Sequence, residues 1–273
     1  MFFGYFVLKI CLISCLVLLP VRGLAQAQPA GEYEPQVGQA GKDVVWFPTP
    51  QVLVEKMLDI AKVTPKDYVI DLGSGDGRTV ISAAKRGARA LGIEYNADMV
   101  ELAKRNAAKE GVSDKAQFFK ADLFQSDFLR ATVITMFLSP NINLKLRPKI
   151  LNLRPGTRVV SNTFDMDKWE PDETAVATDC SSYCNALLWI VPAKVAGTWQ
   201  LSQGELTLNQ HFQIISGALK SGNETTKITN GRLEGNRITF TAGNSEYVGR
   251  ANGNAMEGTI SSGASWKATR ARR

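Results

Sequence analysis

Histidine is almost missing from this chain: His211 is the only one in 273 residues. A zinc site built on histidine with cysteine or carboxylate partners is therefore excluded, and no second imidazole exists to act as a base elsewhere. Cysteine is also scarce, and four of them are too few for a disulfide scaffold. The 23 glycines follow no triplet period, which excludes a collagen-like chain. What remains is a protein that folds by burial. Its 44% hydrophobic content is ample for that, and its length suits about two domains of ~100–200 residues.

One long apolar run stands at the N-terminus. Ile10 to Leu19, bounded by Lys9 and Pro20, precedes the small-x-small pattern Ala25-Gln26-Ala27, so residues 1–27 read as a secretory signal peptide. The alternative is an uncleaved anchor. Met1 to Leu19 is interrupted only by Lys9, which approaches the ~20 residues needed to span a bilayer, and residues 1–22 would then hold the protein at a membrane. The expected location is periplasmic or otherwise extracytoplasmic. Cleavage would remove Cys11 and Cys15 and leave Cys180 and Cys184, in Cys-Ser-Ser-Tyr-Cys, as either a short-loop disulfide or two free thiols.

Charge is unevenly placed. Residues 28–195 carry 21 basic and 21 acidic side chains, whereas residues 196–273 carry nine basic and five acidic. No basic stripe interleaved with aromatics is present, and the Arg270-Ala271-Arg272-Arg273 tail reads as a solvated terminus, so neither nucleic acid nor metal is expected as a partner.

Texture divides the chain further. Residues 28–44 are polar with Gly and Pro and read as a flexible lead-in. Residues 45–195 alternate apolar runs with helical patterns, and residues 196–273 hold 11 of the 23 glycines and alternate with period two. In the middle region Thr49-Pro50 reads as an N-cap and first helical position for a helix over 51–63. Then follow a strand 68–72, a glycine turn 73–77, a helix 78–86, a strand 89–94, a helix 98–110 and a strand 116–120. A strand 132–138, a helix 142–153, a strand 157–161 and strands near 174–179 and 185–191 complete an α/β, largely parallel, doubly wound sheet of Rossmann-like type. The last region, with Asn-Gly, Gly-Asn and Ser-Gly turns between alternating runs, predicts a small antiparallel β domain, barrel- or sandwich-like, with His211 on its surface.

The loop after the first strand carries the strongest chemical signal: Val69-Ile70-Asp71-Leu72-Gly73-Ser74-Gly75-Asp76-Gly77-Arg78. A glycine turn between a buried strand and a helix lets a ligand approach the backbone at the carboxyl edge of the sheet. A dinucleotide fingerprint needs glycine where Arg78 stands, and a phosphate-binding P-loop needs a lysine that is absent. Acids recur at successive strand ends: Asp71, Asp76 in the loop, Glu94, and Asp122. They would repel a pyrophosphate. They suit a sulfonium amino acid joined to a nucleoside, with Glu94 accepting both ribose hydroxyls and Asp122 the adenine amino group, and that ligand is S-adenosylmethionine.

Residues 45–170 resemble the class I methyltransferases, and among them the lysine methyltransferase group that includes the mitochondrial ATP synthase c-subunit enzyme and its bacterial relatives. Four stretches carry the resemblance: Phe47-Pro48-Thr49-Pro50, Asp71 to Arg78, Gly92-Ile93-Glu94-Tyr95-Asn96, and Ala121-Asp122-Leu123-Phe124. It implies that Asp71, Gly73, Gly75, Glu94 and Asp122 contact the cofactor, with Pro48 and Thr49 near its methionine end, and Ser74, Asp76 and Gly77 complete the candidate loop. Many amino-methylating relatives end the fourth strand with an acid or Asn, two prolines and an aromatic, where this chain reads Phe137-Leu138-Ser139-Pro140-Asn141. Asn141 is then the candidate to orient an amine, or a helix N-cap. Trp169 either walls the substrate cleft or packs. The reading is S-adenosylmethionine-dependent methylation of a protein lysine or another amine. The alternative is a non-catalytic extracytoplasmic binding protein that keeps the fold.

Overall fold

The computed structural model describes residues 1–2 and 33–271. The apolar run at 10–19, the Ala25-Gln26-Ala27 pattern, Cys11 and Cys15 lie outside the described residues.

Helix α1 (Gln51–Ile60) buries Leu53, Val54, Met57, Leu58 and Ile60 on one face, and stops before Thr64-Pro65. Its N-cap is Pro50, not Thr49: with ψ at 136° Pro50 stays extended, just ahead of the first helical residue Gln51, and the helix ends at Ile60, three residues short of the expected Val63. Strand β1 (Tyr68–Leu72), helix α2 (Arg78–Lys85), β2 (Arg89–Glu94), α3 (Ala97–Lys109), β3 (Ala116–Lys120), β4 (Val133–Met136), α4 (Pro140–Ile150), β5 (Arg158–Asn162), β6 (Glu173–Val176) and β7 (Asn185–Ile190) follow. They form a seven-stranded sheet in the order β3-β2-β1-β4-β5-β7-β6. Pairing is parallel from β3 to β5, while β7 and β6 add antiparallel.

The central strand β1 is buried on both faces, as its apolar run demands. Val69, Val133 and Val160 point into the core shared with α1, α2 and α3; Ile70, Leu72, Ile134 and Met136 point into the opposite core with Ile142, Leu146 and Ile150 of α4. Strand order reverses between β1 and β4, which opens a crevice at their carboxyl ends. Asp71 shares the face of Val69 and pairs in register with Thr135, so both side chains meet at that crevice.

Strands β8 (Gly197–Leu201), β9 (Gly204–His211), β10 (Ile214–Ser221), β11 (Glu224–Glu234), β12 (Arg237–Ala242), β13 (Ser245–Asn252), β14 (Ala255–Ile260) and β15 (Ser265–Arg270) close into an antiparallel up-and-down barrel. Closure is made by β15 against β8, Thr269 opposite Gln200. The interior is filled by side chains, with Phe240 stacked on Tyr247 at 4.7 Å and Trp266 edge-on to both. His211 is exposed at the end of β9.

Barrel and sheet are packed together. Ala193 and Val195 already belong to the barrel core, so the change of core falls near Pro192, slightly ahead of the boundary read from texture. Trp169 is fully buried between Trp189 and Phe212, stacked on the latter at 5.8 Å, and so packs at the junction and does not wall a cleft. Arg232 pairs with Asp172 at 2.6 Å, and Gln213 donates to the Glu170 carbonyl at 2.7 Å. At Gly235, φ +59, an added Cβ would lie 2.9 Å from the Gly156 backbone, so only glycine allows this approach.

Candidate active site

The glycine loop is held in shape by its own backbone. Gly73, Gly75 and Gly77 all take positive φ, the amides of Gly73 and Ser74 donate to the Ile93 carbonyl, and Gly77 donates to Ser74. Gly73, Ser74, Gly75 and Asp76 line an open cleft together with Pro48, Thr49, Asp71, Glu94 and Asp122. Gly77 is the one loop residue outside the lining. It sits at the start of α2 with Phe118 and Ala103 against it, and its role is to let helix and sheet approach.

Each acid has a distinct setting. Asp71 is buried, and burial, reinforced by the nearby charges of Glu94 and Asp76, pushes its carboxyl up to about 7 although the Thr135 hydroxyl donates to it at 2.6 Å. Glu94 accepts the Gly75 amide at 3.0 Å through one oxygen and the Asn96 amide at 2.9 Å through the other. A carboxylate has about four acceptor positions, so two remain for a pair of hydroxyls. Asp76 is clasped by the Arg78 guanidinium, and Arg78 also donates to the Thr49 carbonyl at 2.9 Å. The residue that breaks the dinucleotide fingerprint thus ties the loop to the segment ahead of α1. Asp122 accepts the Phe124 amide at 2.8 Å and the Lys42 ammonium at 2.7 Å, and the Lys42 hydrogen bond holds its carboxyl below the usual range.

Lys42 reveals what the sequence reading missed. Residues 33–44, read as a flexible lead-in, fold back as a hydrogen-bonded loop, with Gly38 donating to the Trp46 carbonyl and Trp46 to that of Gln39. The loop lines the cleft, places Lys42 5.0 Å above the Tyr95 ring, and sets Trp46 so close to Gly75 that a Cβ there would meet its Nε1 at 2.6 Å. The apolar pair Trp46-Phe47 beside Pro48 was the available signal.

Asn141 does not take the role expected of it. It is exposed on the first turn of α4, outside the cleft lining, and the N-cap is Ser139. The amide beside the cleft is Asn162, at the end of β5. It is fully buried, donates to the Thr49 hydroxyl at 3.3 Å, and its Oδ1 has no partner among the described residues. Thr49 therefore contributes a buried hydroxyl at the cleft and no helix cap. Thr163, next in sequence, holds a left-handed backbone at φ +59 with its hydroxyl likewise buried and unpaired.

Three comparisons bear on this site. The model of the ANTKMT methyltransferase domain matches residues 71–173. A protein-lysine N-methyltransferase of Saccharolobus islandicus is 42% identical over 151 residues, covering 54% of this chain and 94% of that protein. The chain belongs to the S-adenosylmethionine-dependent methyltransferases of this family. The mouse lysine N-methyltransferase named for the ATP synthase c-subunit is 37% identical over 39% of this chain and 43% of its own length, so the methyltransferase spans nearly all of its archaeal relative and under half of the mouse one. Among solved structures, an RNA methyltransferase from Salinibacter ruber in complex with S-adenosyl-L-homocysteine is 44% identical, with a TM-score of 0.52, covering 55% of this chain and 96% of that one. The cofactor of the methyltransferase is S-adenosylmethionine. The cleft fits it: a glycine loop that a backbone-hugging ligand can approach, a buried Ser74 hydroxyl without a partner among the described residues, and carboxylates spaced from β1 to β3.

Proposed function

We propose that the enzyme methylates the side-chain amine of a protein lysine. S-Adenosylmethionine supplies a methyl group on a positively charged sulfur. On this reading Glu94 takes the ribose hydroxyls through its two free acceptor positions, Asp122 exchanges Lys42 for the adenine amino group, and Asp71 faces the cationic methionine end. Gly73, Ser74, Gly75 and Asp76 shape the loop, and Pro48 and Thr49 close the methionine side. The attacking nitrogen must arrive uncharged with its lone pair in line, which needs positioning and exclusion of water more than a strong base. Thr49, which lines the cleft and whose hydroxyl is held from behind by the buried Asn162 amide, is the group suited to orient an amine N–H.

The acceptor class rests on the neutral balance of residues 28–195 together with the lysine-methylating relatives. The Salinibacter protein named as an RNA methyltransferase favours a second reading, methylation of RNA. The leader pattern and a disulfide between Cys180 and Cys184 support an extracytoplasmic location for the mature enzyme. Tritiated S-adenosylmethionine incubated with the enzyme and separate protein and RNA fractions decides between acceptors. Label at lysine after complete protein hydrolysis is expected; label in nucleosides alone rejects the lysine assignment.

A further inference from the structure

Four aromatic rings meet where the cleft opens, on the half of the sheet away from the acids. Phe137 follows β4, Phe164 follows β5, Tyr183 precedes β7, and Phe47 comes from the segment ahead of α1. Tyr183 touches all three others, with ring centroids 5.1 Å from Phe137 and 6.0 Å from Phe47 and from Phe164; Phe137 and Phe164 stack at 6.0 Å. Phe47 and Phe137 line the cleft, while Tyr183 and Phe47 are more than a third exposed. An apolar wall thus runs from beside Thr49 out to solvent.

Tyr183 is unusual in how it is held. Its backbone is left-handed, φ +55, as is that of Asp179 at φ +58, in an irregular loop whose residues are mostly exposed. A bulky residue rarely takes that conformation without constraint. Here the Cys180–Cys184 disulfide closes the loop around it, and the Ala177 amide donates to the Cys184 carbonyl at its base. The fold spends a disulfide and a strained backbone on aiming one ring at the cleft mouth.

We propose that Tyr183, positioned by the Cys180–Cys184 disulfide, is a specificity-determining wall of the acceptor site, and that its occupant is a lysine side chain of a protein substrate. The proposal rests on the amine-methylating reading above. The topology carries it: the acids belong to β1, β2 and β3, so the other half of the switch point, over β4, β5 and β7, is left for the acceptor. The chemistry fits too, since aromatic rings attract an ammonium head before it is deprotonated and pack along a methylene stem.

The test is binding of a fluorescein-labelled lysine-containing octapeptide, followed by polarisation, to the full chain with S-adenosyl-L-homocysteine present. Tyr183→Ala is expected to weaken the peptide about tenfold, Tyr183→Phe to stay within about twofold, and Cys180→Ser/Cys184→Ser to weaken it several-fold. Calorimetry with S-adenosyl-L-homocysteine should find all three variants within twofold of wild type, which separates a lost wall from a lost fold. Peptide binding unchanged in Tyr183→Ala overturns the assignment of Tyr183 alone. A peptide that fails to bind wild type, while an arginine-for-lysine control is equally inert, overturns the lysine reading and this proposal with it.

Discussion

Asp71 makes a prediction about stability that runs against the usual behaviour of carboxylates. Its carboxyl titrates near 7 in the folded chain and near 3.8 in the unfolded one, because burial penalises the charge and Glu94 and Asp76 repel it. Between those values the folded state holds the extra proton, so stability must fall as pH rises, and the loss is complete above about pH 8. The full difference corresponds to about 4 kcal/mol, at ~1.4 kcal/mol per pH unit, and about 2 kcal/mol of it accrues between pH 5.5 and 8. Carboxylates with lowered values, such as Asp67 and Glu55, act in the opposite sense but only below about pH 5, outside that interval.

Asp71→Asn removes the titration while an amide oxygen still accepts the Thr135 hydroxyl. The expected result is a variant more stable than wild type at pH 8, by an amount that shrinks by about 2 kcal/mol at pH 5.5, and with weakened cofactor binding. Urea unfolding by circular dichroism, analysed for the transition that S-adenosyl-L-homocysteine shifts, isolates the sheet from the barrel. Parallel stability profiles for wild type and variant across this range would refute the reasoning, since Asp71 would then be charged in both states.

Three further outcomes follow from the site. Lys42→Ala frees Asp122, so S-adenosyl-L-homocysteine should bind about threefold more tightly by calorimetry, with weaker dependence on salt; looser binding would mean that Lys42 helps hold the ligand. Gly75→Ala forces a left-handed alanine against the Trp46 indole, which should cost about 1–2 kcal/mol from the backbone alone and abolish measurable cofactor binding, and an unchanged melting temperature would contradict it. Cutting the chain after Val195 strips Phe212 from Trp169 and Arg232 from Asp172; melting should fall by roughly 5–10 °C, with cofactor affinity within about tenfold of the whole protein by calorimetry.

Legibility follows sequence distance. The glycine loop and its acids are readable because each lies at the end of its own strand, and a run such as Val69-Ile70-Asp71-Leu72-Gly73 announces strand, ligand edge and turn within a few residues. Strand direction is harder: β6 and β7 are short runs like the others, and nothing in Ala186-Leu187-Leu188-Trp189 says that it pairs antiparallel to β5. The acceptor side fails in a more informative way. Asn141 has the right position after the fourth strand, but once the chain turns into α4 at Ser139 the side chain two places on is carried outward, while Asn162, ending a buried strand, is drawn inward to Thr49 113 residues away. The Lys42 to Asp122 contact spans 80 residues and crosses three strands, so neither partner's neighbours in sequence encode it. Contacts of this kind exist only after the sheet has assembled, and they concentrate where ligands bind, because the switch point is where segments distant in sequence are forced to share one edge.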